Sequence, residues 1–163
     1  MGTAYIVIKF THSDMLIPAV KQLEACAFVE SWDAVEGHAD LLLRVRCTTA
    51  ELPDEVRQLE RIKRITVYPI ADGEDNLTMP NPLPIRAYLF IDTDPEQKEA
   101  VRNTILALPE TLSCTRVSGK CDLVALLKGE TFPELKKAVS RKVQTLDGVL
   151  RLKPHYACNI KQL

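Results

Sequence analysis

The stretches "GHADLLLRV" (residues 37–45) and "GKCDLVALL" (residues 119–127) decide how this chain folds, because they are nearly the same motif. Each begins with a glycine, passes through two variable residues to an aspartate and ends in a run of aliphatic side chains. Each also follows a stretch in which apolar and polar residues alternate, "FVESWDAVE" and "TLSCTRVS". A motif that recurs in similar surroundings indicates that a small structural unit is duplicated.

The composition is that of an ordinary soluble protein of 163 residues, with 46% hydrophobic and 26% charged residues. The net charge of -1 argues against the basic field with which nucleic-acid-binding proteins neutralise phosphates. The sequence has neither a signal peptide pattern nor an apolar stretch that could span a membrane. The five cysteines form no CxxC pair, so we expect no zinc site and no disulfide framework, and a cytoplasmic location fits best.

The two halves share one order of elements around this motif. The β-rich runs "AYIVI" (residues 4–8) and "AYLFI" (residues 87–91) open them. Each run precedes a helical stretch, a strand, the glycine turn, a strand, a second helical stretch and a final strand, "ITVYPI" (residues 65–70) or "VLRLKPHYAC" (residues 149–158). This order predicts an α+β fold of two tandem ferredoxin-like βαββαβ units, each a four-stranded antiparallel sheet with its helices on one face.

Capping residues locate the predicted helices. In the second half Asp94 and Thr131 are the expected N-caps of the first and second helices. In the first half Ser13 or Asp14 is the expected cap, although Pro18 is compatible with a helix only in its first turn. We therefore expect the first helix of the first half to begin later than its counterpart.

The stretch "ADGEDNLTMPNPLPI" (residues 71–85) lies between the halves. Its glycine and three prolines break regular structure and indicate a linker. The predicted division is therefore a first unit at residues 1–70, a linker at residues 71–85 and a second unit at residues 86–163.

Both faces of the opening strands are apolar, as the sequences "YIVI" (residues 5–8) and "YLFI" (residues 88–91) show. An antiparallel strand with one solvated face alternates apolar and polar residues, and these strands do not. We therefore expect a second sheet to cover the face without helices, either from the other half of the chain or from a second copy. The alternative is that some aliphatic side chains are simply exposed.

Residues 87–155 resemble the effector-binding domain of the Lrp/AsnC family of transcription regulators. The resemblance rests on an ordered set of motifs, "LPE" (residues 108–110), "VSGKCDL" (residues 117–123) and "TLDGV" (residues 145–149). The first half keeps "AVEGHADLLLRV" (residues 34–45) but lacks the other motifs. The resemblance therefore implies a tandem pair in which the second unit is closer to the family and the first is divergent.

The organisation of the chain departs from that of the full-length regulators in one respect. In those proteins a helix-turn-helix domain precedes the effector domain and binds DNA, whereas here another copy of the same unit precedes it. We therefore expect a module without its own DNA-binding domain.

The two glycine turns are the candidate ligand sites. Gly37 and Gly119 are expected to supply the positive φ that a tight turn requires. Asp40 and Asp122 either accept hydrogen bonds from turn N–H groups or face a cleft and pair with the ammonium group of an amino acid. In the family that the second half resembles, this turn borders the effector site between subunits, which implies a ligand site at these four residues.

Other reactive side chains give weaker signals. The three histidines, at positions 12, 38 and 155, lack metal-ligand spacing, and no metal site is expected. Cys121 is expected to act as a small hydrophobic residue, and no residue has a recognisable nucleophile setting. The most basic stretch, "RQLERIKRI" (residues 57–65), predicts the solvated face of a short helix.

The leading interpretation is a non-enzymatic module that senses a small-molecule effector, such as an amino acid or related metabolite. It would associate with itself as a homo-oligomer or with a related DNA-binding regulator, with no cofactor and no direct contact with nucleic acid or membrane. One alternative is an enzyme of the siroheme decarboxylase type, which acts on tetrapyrrole carboxylates, with His38 or with His155 and Tyr156 as candidate residues. The other alternative is a purely structural oligomerisation unit.

Overall fold

The computed structural model describes residues 2–47, 52–71, 73–74 and 77–158. Two successive sets of elements follow the order β-α-β-β-α-β, and all paired strands in this part of the chain are antiparallel. The predicted α+β fold of two ferredoxin-like units is confirmed. The first unit consists of β1 (Gly2–Phe10), α1 (Leu16–Glu24), β2 (Val29–Glu36), β3 (Leu41–Cys47), α2 (Asp54–Arg57) and β4 (Ile62–Pro69). The second unit consists of β5 (Ile85–Thr93), α3 (Lys98–Leu106), β6 (Thr111–Arg116), β7 (Leu123–Gly129), α4 (Phe132–Ala138) and β8 (Val149–Cys158).

The predicted N-cap is correct for α4 and wrong for α1 and α3. Neither Ser13 nor Asp14 caps α1, because its N-cap is Met15, which makes no side-chain cap hydrogen bond. Thr131 is the N-cap of α4, and its hydroxyl oxygen accepts a hydrogen bond from the Glu134 N–H at 3.3 Å. Pro18 lies in the first turn of α1, where a missing N–H costs nothing, and a 3-10 turn over Ser13–Met15 precedes it. Asp94 does not cap α3, because its carboxylate instead accepts the Glu96 N–H in a local turn and the helix begins only at Lys98.

The two units form one eight-stranded sheet with the strand order β4-β1-β3-β2-β8-β5-β7-β6. They meet along β2 and β8, which pair from Ala34–Cys158 to Glu36–Tyr156. The outer strands β4 and β6 also meet, because Ile70 and Val117 form an isolated bridge and the Ser118 N–H donates to the Pro69 carbonyl at 3.0 Å. The sheet therefore curves round on itself, so that the two units are joined along both of their edges.

The space between the two four-stranded halves is a hydrophobic core, which we call the central core. On β5, Tyr88 and Phe90 point into it, whereas Leu89 and Ile91 point towards the helices of their own unit. The second apolar face is therefore covered within the chain, as one of the two sequence-based alternatives predicted. Each large side chain buried in this way contributes about 1.5–3 kcal/mol to folding, which holds the units together. The central core comprises Tyr5, Val35, Ala39, Leu42, Tyr68, Ile70, Tyr88, Phe90, Val117, Cys121, Val124 and Leu126.

The duplication extends to details of strand pairing. The register of β1 against β4 shifts between Lys9 and Phe10, and the register of β5 against β8 shifts at the equivalent point, between Asp92 and Thr93. Equivalent positions can therefore be read from these two registers. Arg64 corresponds to Arg151, Thr66 to Lys153 and Tyr68 to His155.

The segment between β4 and β5 contacts both units. Glu74 accepts hydrogen bonds from the Arg116 guanidinium at 2.6 Å and forms an ion pair with Arg102 at 3.0 Å. Leu77 and Met79 pack against the central core. The division of the chain at residues 71–85 remains a prediction.

The basic stretch at residues 57–65 is not the helix face that the sequence predicted. Helix α2 ends at Arg57. Arg61 has a φ of 59°, a backbone conformation that is incompatible with a right-handed helix. The Arg61 carbonyl accepts the Thr11 N–H at 2.8 Å, and β4 begins at the next residue. Arg64 consequently lies on a strand. No helix in the described ranges is long and apolar enough to cross a membrane.

Candidate functional site

The turn at residues 37–40, here called the first turn, lies against the last strand of the second unit. Gly37 has a φ of 130°, and a Cβ atom at this position would lie 2.7 Å from the Pro154 carbonyl oxygen. Both the backbone conformation and the close approach to β8 therefore require glycine.

The turn at residues 119–122, the second turn, repeats this arrangement in the opposite direction. Gly119 has a φ of 99°, and a Cβ atom there would lie 3.0 Å from the Val67 carbonyl oxygen on β4. Each predicted ligand turn thus packs on the last strand of the other unit. The glycine of the first turn approaches β8, and that of the second turn approaches β4.

The two aspartates have similar backbone contacts but differ in their second oxygen. The Phe10 N–H donates to Oδ2 of Asp40 at 2.9 Å, and Lys9 Nζ donates to Oδ1 at 3.2 Å. The Thr93 N–H donates to Oδ2 of Asp122 at 2.8 Å, and among the described residues Oδ1 of Asp122 has no hydrogen-bond partner. Each carboxylate therefore fastens the turn to the end of the first strand of its unit, and Asp122 keeps one oxygen for another donor.

The first turn also brings two histidines together. His38 is exposed, His155 is 4% exposed, and their ring centroids are 6.3 Å apart. Nδ1 of His155 is buried without a hydrogen-bond partner within the described chain. Burial, with smaller contributions from the nearby His38, Lys153 and Arg64, lowers the pKa of His155 to about 4. His155 is therefore a neutral imidazole at neutral pH.

Tyr156, the other residue of the alternative catalytic pair, is separated from His155. Successive residues of a strand point to opposite faces, so Tyr156 packs against the helix-side core of the second unit. Its ring contacts Phe132 with a centroid distance of 5.2 Å. Sequence adjacency therefore does not make His155 and Tyr156 a catalytic pair.

The cysteine of the second turn is a core residue. Cys121 belongs to the central core, and burial raises the pKa of its thiol to about 12. The thiol is therefore neutral at physiological pH and poorly nucleophilic. In the described part of the chain, no group of three or more His, Cys, Asp or Glu side chains is arranged to hold a metal ion.

An open groove of about 550 Å³ lies at the other end of β7 from the second turn. The groove is open to solvent. Glu110 on its wall forms an ion pair with Lys142. A hydrogen bond from Lys142 lowers the pKa of Glu110. The groove shares no residue with the two turns. Its lining residues are Pro84, Pro109, Glu110, Lys128, Gly129, Glu130 and Glu134.

Comparison with known proteins identifies the second unit. Residues 86–160 match the sequence model of the family described as the Lrp/AsnC ligand binding domain. The second unit is an Lrp/AsnC ligand-binding domain. The resemblance inferred from the motifs is thereby confirmed for this part of the chain, and the Lrp/AsnC domain contributes β5–β8 and the second turn.

Comparison with solved structures covers the first unit as well as the Lrp/AsnC domain. The siroheme decarboxylase NirDL is similar over 96% of this chain and 71% of its own, with a TM-score of 0.77 and 12% identity. At this identity the similarity concerns the fold alone, and it includes both units. A protein from Thermus thermophilus is 29% identical over 46% of this chain and 94% of its own, with a TM-score of 0.44. No curated protein matches the sequence.

Proposed function

We propose that the chain is a regulatory module that binds a small effector, an amino acid or a related metabolite, at the turns between its two units. The observation that carries this proposal is the pairing of an Lrp/AsnC ligand-binding domain with a second copy of the fold in one chain. Each turn packs on the last strand of the opposite unit, so a ligand held there contacts both units. Such a ligand would stabilise the paired arrangement and could thereby change how the module associates with itself or with a DNA-binding regulator.

The second turn is the better candidate for an amino acid. Oδ2 of Asp122 is held by the Thr93 N–H, which fixes the carboxylate, and Oδ1 is left to accept a hydrogen bond from an ammonium group. Both oxygens of Asp40 are already engaged by Lys9 and Phe10. The four proposed ligand residues therefore have unequal roles, with Gly37 and Gly119 shaping the turns and Asp122 contacting the ligand.

Calorimetry and thermal shift with a panel of amino acids and related metabolites test this function. Saturable heat release and a raised melting temperature with one compound are expected, because a ligand that binds only the folded state stabilises it. If no compound of a broad panel releases heat or raises the melting temperature, the sensing function is contradicted and a structural oligomerisation unit is favoured. Duplex DNA in the same assays should give no binding, since the net charge is -1.

One observation favours an enzyme as the second candidate. The first turn places His38 beside the buried His155, and the fold of the whole chain is similar to that of the siroheme decarboxylase NirDL, which has also been solved with an iron-uroporphyrin III analogue. A tetrapyrrole carboxylate would then be the substrate, and His38 a proton donor or acceptor. Incubation with such a tetrapyrrole, followed by absorbance and product mass, tests this candidate: loss of carboxyl groups would support it, and unchanged mass would exclude it.

A further inference from the structure

Three cationic side chains surround the first turn. Lys9 and Arg64 are paired in the register of β1 and β4, and Lys153 is paired with Phe90 in the register of β5 and β8. Lys9 lies on the same face of β1 as Tyr5, because side chains two positions apart share a face. That face is the one directed between the sheets.

The same alternation places Lys153 on the face of β8 that carries His155. Lys9 and Arg64 of the first unit therefore lie on the same face as the central core beside the first turn, and Lys153 of the second unit precedes Pro154, which Gly37 of that turn approaches. The Arg64 guanidinium confirms this proximity, because its Nη2 donates to the His38 carbonyl at 2.6 Å.

These cations are only partly neutralised. Lys9 forms an ion pair with Asp40 at 3.2 Å. Neither Arg64 nor Lys153 belongs to an ion pair within the described residues. The lowered pKa of His155, to which both side chains contribute, also indicates that their positive charges act on the same small region.

The equivalent end of the second unit lacks this excess of positive charge. Asp92 occupies the position that Lys9 has in the first unit, and it forms an ion pair with Arg151 at 3.9 Å. Thr66 occupies the position of Lys153. The two units therefore share the same fold at these ends but differ in the charge that the ends carry.

We propose that the first turn is an anion site, at which Arg64, Lys153 and the His38 side chain bind a carboxylate or phosphate group. The second turn, by contrast, is the proposed site for a zwitterionic amino acid. The guanidinium group comes from the first unit and the ammonium group from the second, so an anion that binds both would join the units there. Asp40 holds Lys9 beside the site. His155 is buried next to Gly37, so its NMR signal would respond to a bound anion that the ring does not contact. The proposal rests on the proposed function in taking the turns as ligand sites, and it assigns a different ligand chemistry to each.

Proton NMR of the imidazole groups in the intact chain tests the anion site. The chain has three histidines, so the His38 and His155 signals can be assigned with His38→Gln and His155→Gln. Citrate and pyrophosphate are titrated at constant ionic strength with sodium chloride as the balancing salt. Saturable shifts of both signals are expected, and stronger binding of citrate or of pyrophosphate identifies a carboxylate or a phosphate ligand.

Matched variants separate a built site from general charge screening. Arg64→Gln and Lys153→Gln should each weaken anion binding about tenfold or more, the effect of one charge-assisted hydrogen bond. Arg151→Gln, at the equivalent position of the second unit, should bind as the unaltered chain does. Equal weakening in all three variants, or shifts that sodium chloride reproduces, would overturn the proposal.

The amino-acid panel distinguishes this inference from the proposed function. Anion binding that depends on Arg64, with no response to any amino acid, would support the anion site and contradict the amino-acid effector. Binding of an amino acid without anion-induced shifts at His38 and His155 would support the amino-acid effector and contradict the anion site.

Discussion

Asp33 on β2 and Arg86 on β5 form an ion pair between the two units, in which the side chains are only 12% and 11% exposed. The Tyr88 hydroxyl donates to the same carboxylate, and Arg86 also donates to the Pro84 carbonyl at 2.9 Å. One largely buried carboxylate therefore accepts hydrogen bonds from two side chains of the second unit, and its removal would leave a largely buried guanidinium without its anion.

We expect Asp33→Ala to lower the free energy of unfolding by about 3–5 kcal/mol, the cost of breaking a buried ion pair from one side. The more exposed pair of Asp92 and Arg151 is the control, and Asp92→Ala should cost about 0–1 kcal/mol. Urea unfolding of both variants measures the difference. Equal losses would mean that the Asp33 pair is no more than a surface interaction.

Stability should depend on pH through His155. Its pKa is about 4 in the folded chain and 6.5 in an unfolded one, so the unfolded chain binds the proton more readily. The contribution of the neutral imidazole is complete above pH 6.5 and is lost as the pH falls through 4, with a total of about 3 kcal/mol. Urea unfolding between these pH values should show this loss in the unaltered chain and a flatter curve in His155→Phe. A profile unchanged by the substitution would assign the acid sensitivity to other groups.

A charge within the central core should prevent the two sheets from packing. Phe90 is 3% exposed and contacts the rings of Tyr68 and His155 with centroid distances of 4.8 and 5.1 Å. Phe90→Asp replaces these contacts with an unpaired carboxylate, so we expect unfolding or aggregation. Leu150→Asp is the control, since Leu150 is 70% exposed, and it should keep the original melting temperature. A folded Phe90→Asp chain of unchanged mass and melting temperature would show that this face tolerates solvent.

The sequence predicted the paired sheets because the pattern that indicates them lies within single short stretches of the chain. The apolar residues on both faces of β5 already required a second cover, and the glycines of the two turns already indicated positive φ. Both conclusions depend on residues that are neighbours along the chain, and the structure contains both features.

The sequence did not predict the cationic end of the central core. Lys9, Arg64 and Lys153 come from three strands, and only the curvature of the sheet brings them to one turn. Arg64 was further obscured because the spacing of residues 57–65 also fits a helix, whereas the backbone at Arg61 leads the chain into β4. Contacts between residues distant in sequence therefore decide the part of the site that local patterns cannot.

Limited proteolysis tests the predicted division of the chain. Asn81, Pro82 and Leu83 are exposed, whereas Glu74 is held by Arg116, so subtilisin should cut first at residues 80–85. The two fragments should elute together from a sizing column, because both contribute to the central core. First cuts within residues 37–45 would contradict the two-unit division, and fragments that elute apart would contradict a shared core.

Asp122 should matter for amino-acid binding more than for folding. Asp122→Asn keeps an acceptor for the Thr93 N–H but removes the charge with which Oδ1 would hold an ammonium group. We expect the affinity for the effector found in the panel to fall about tenfold or more, which corresponds to one charge-assisted hydrogen bond. The melting temperature without ligand should change little.

Asp40→Asn provides the matched control, because Asp40 occupies the equivalent position in the first unit. Both of its oxygens are engaged within the protein, so this variant should lower the melting temperature and leave the amino-acid affinity as it is. Calorimetry and thermal unfolding of the two variants therefore separate a ligand contact from a turn contact. If Asp122→Asn loses stability and keeps its affinity, the aspartate only fastens the turn to β5, and the effector binds elsewhere.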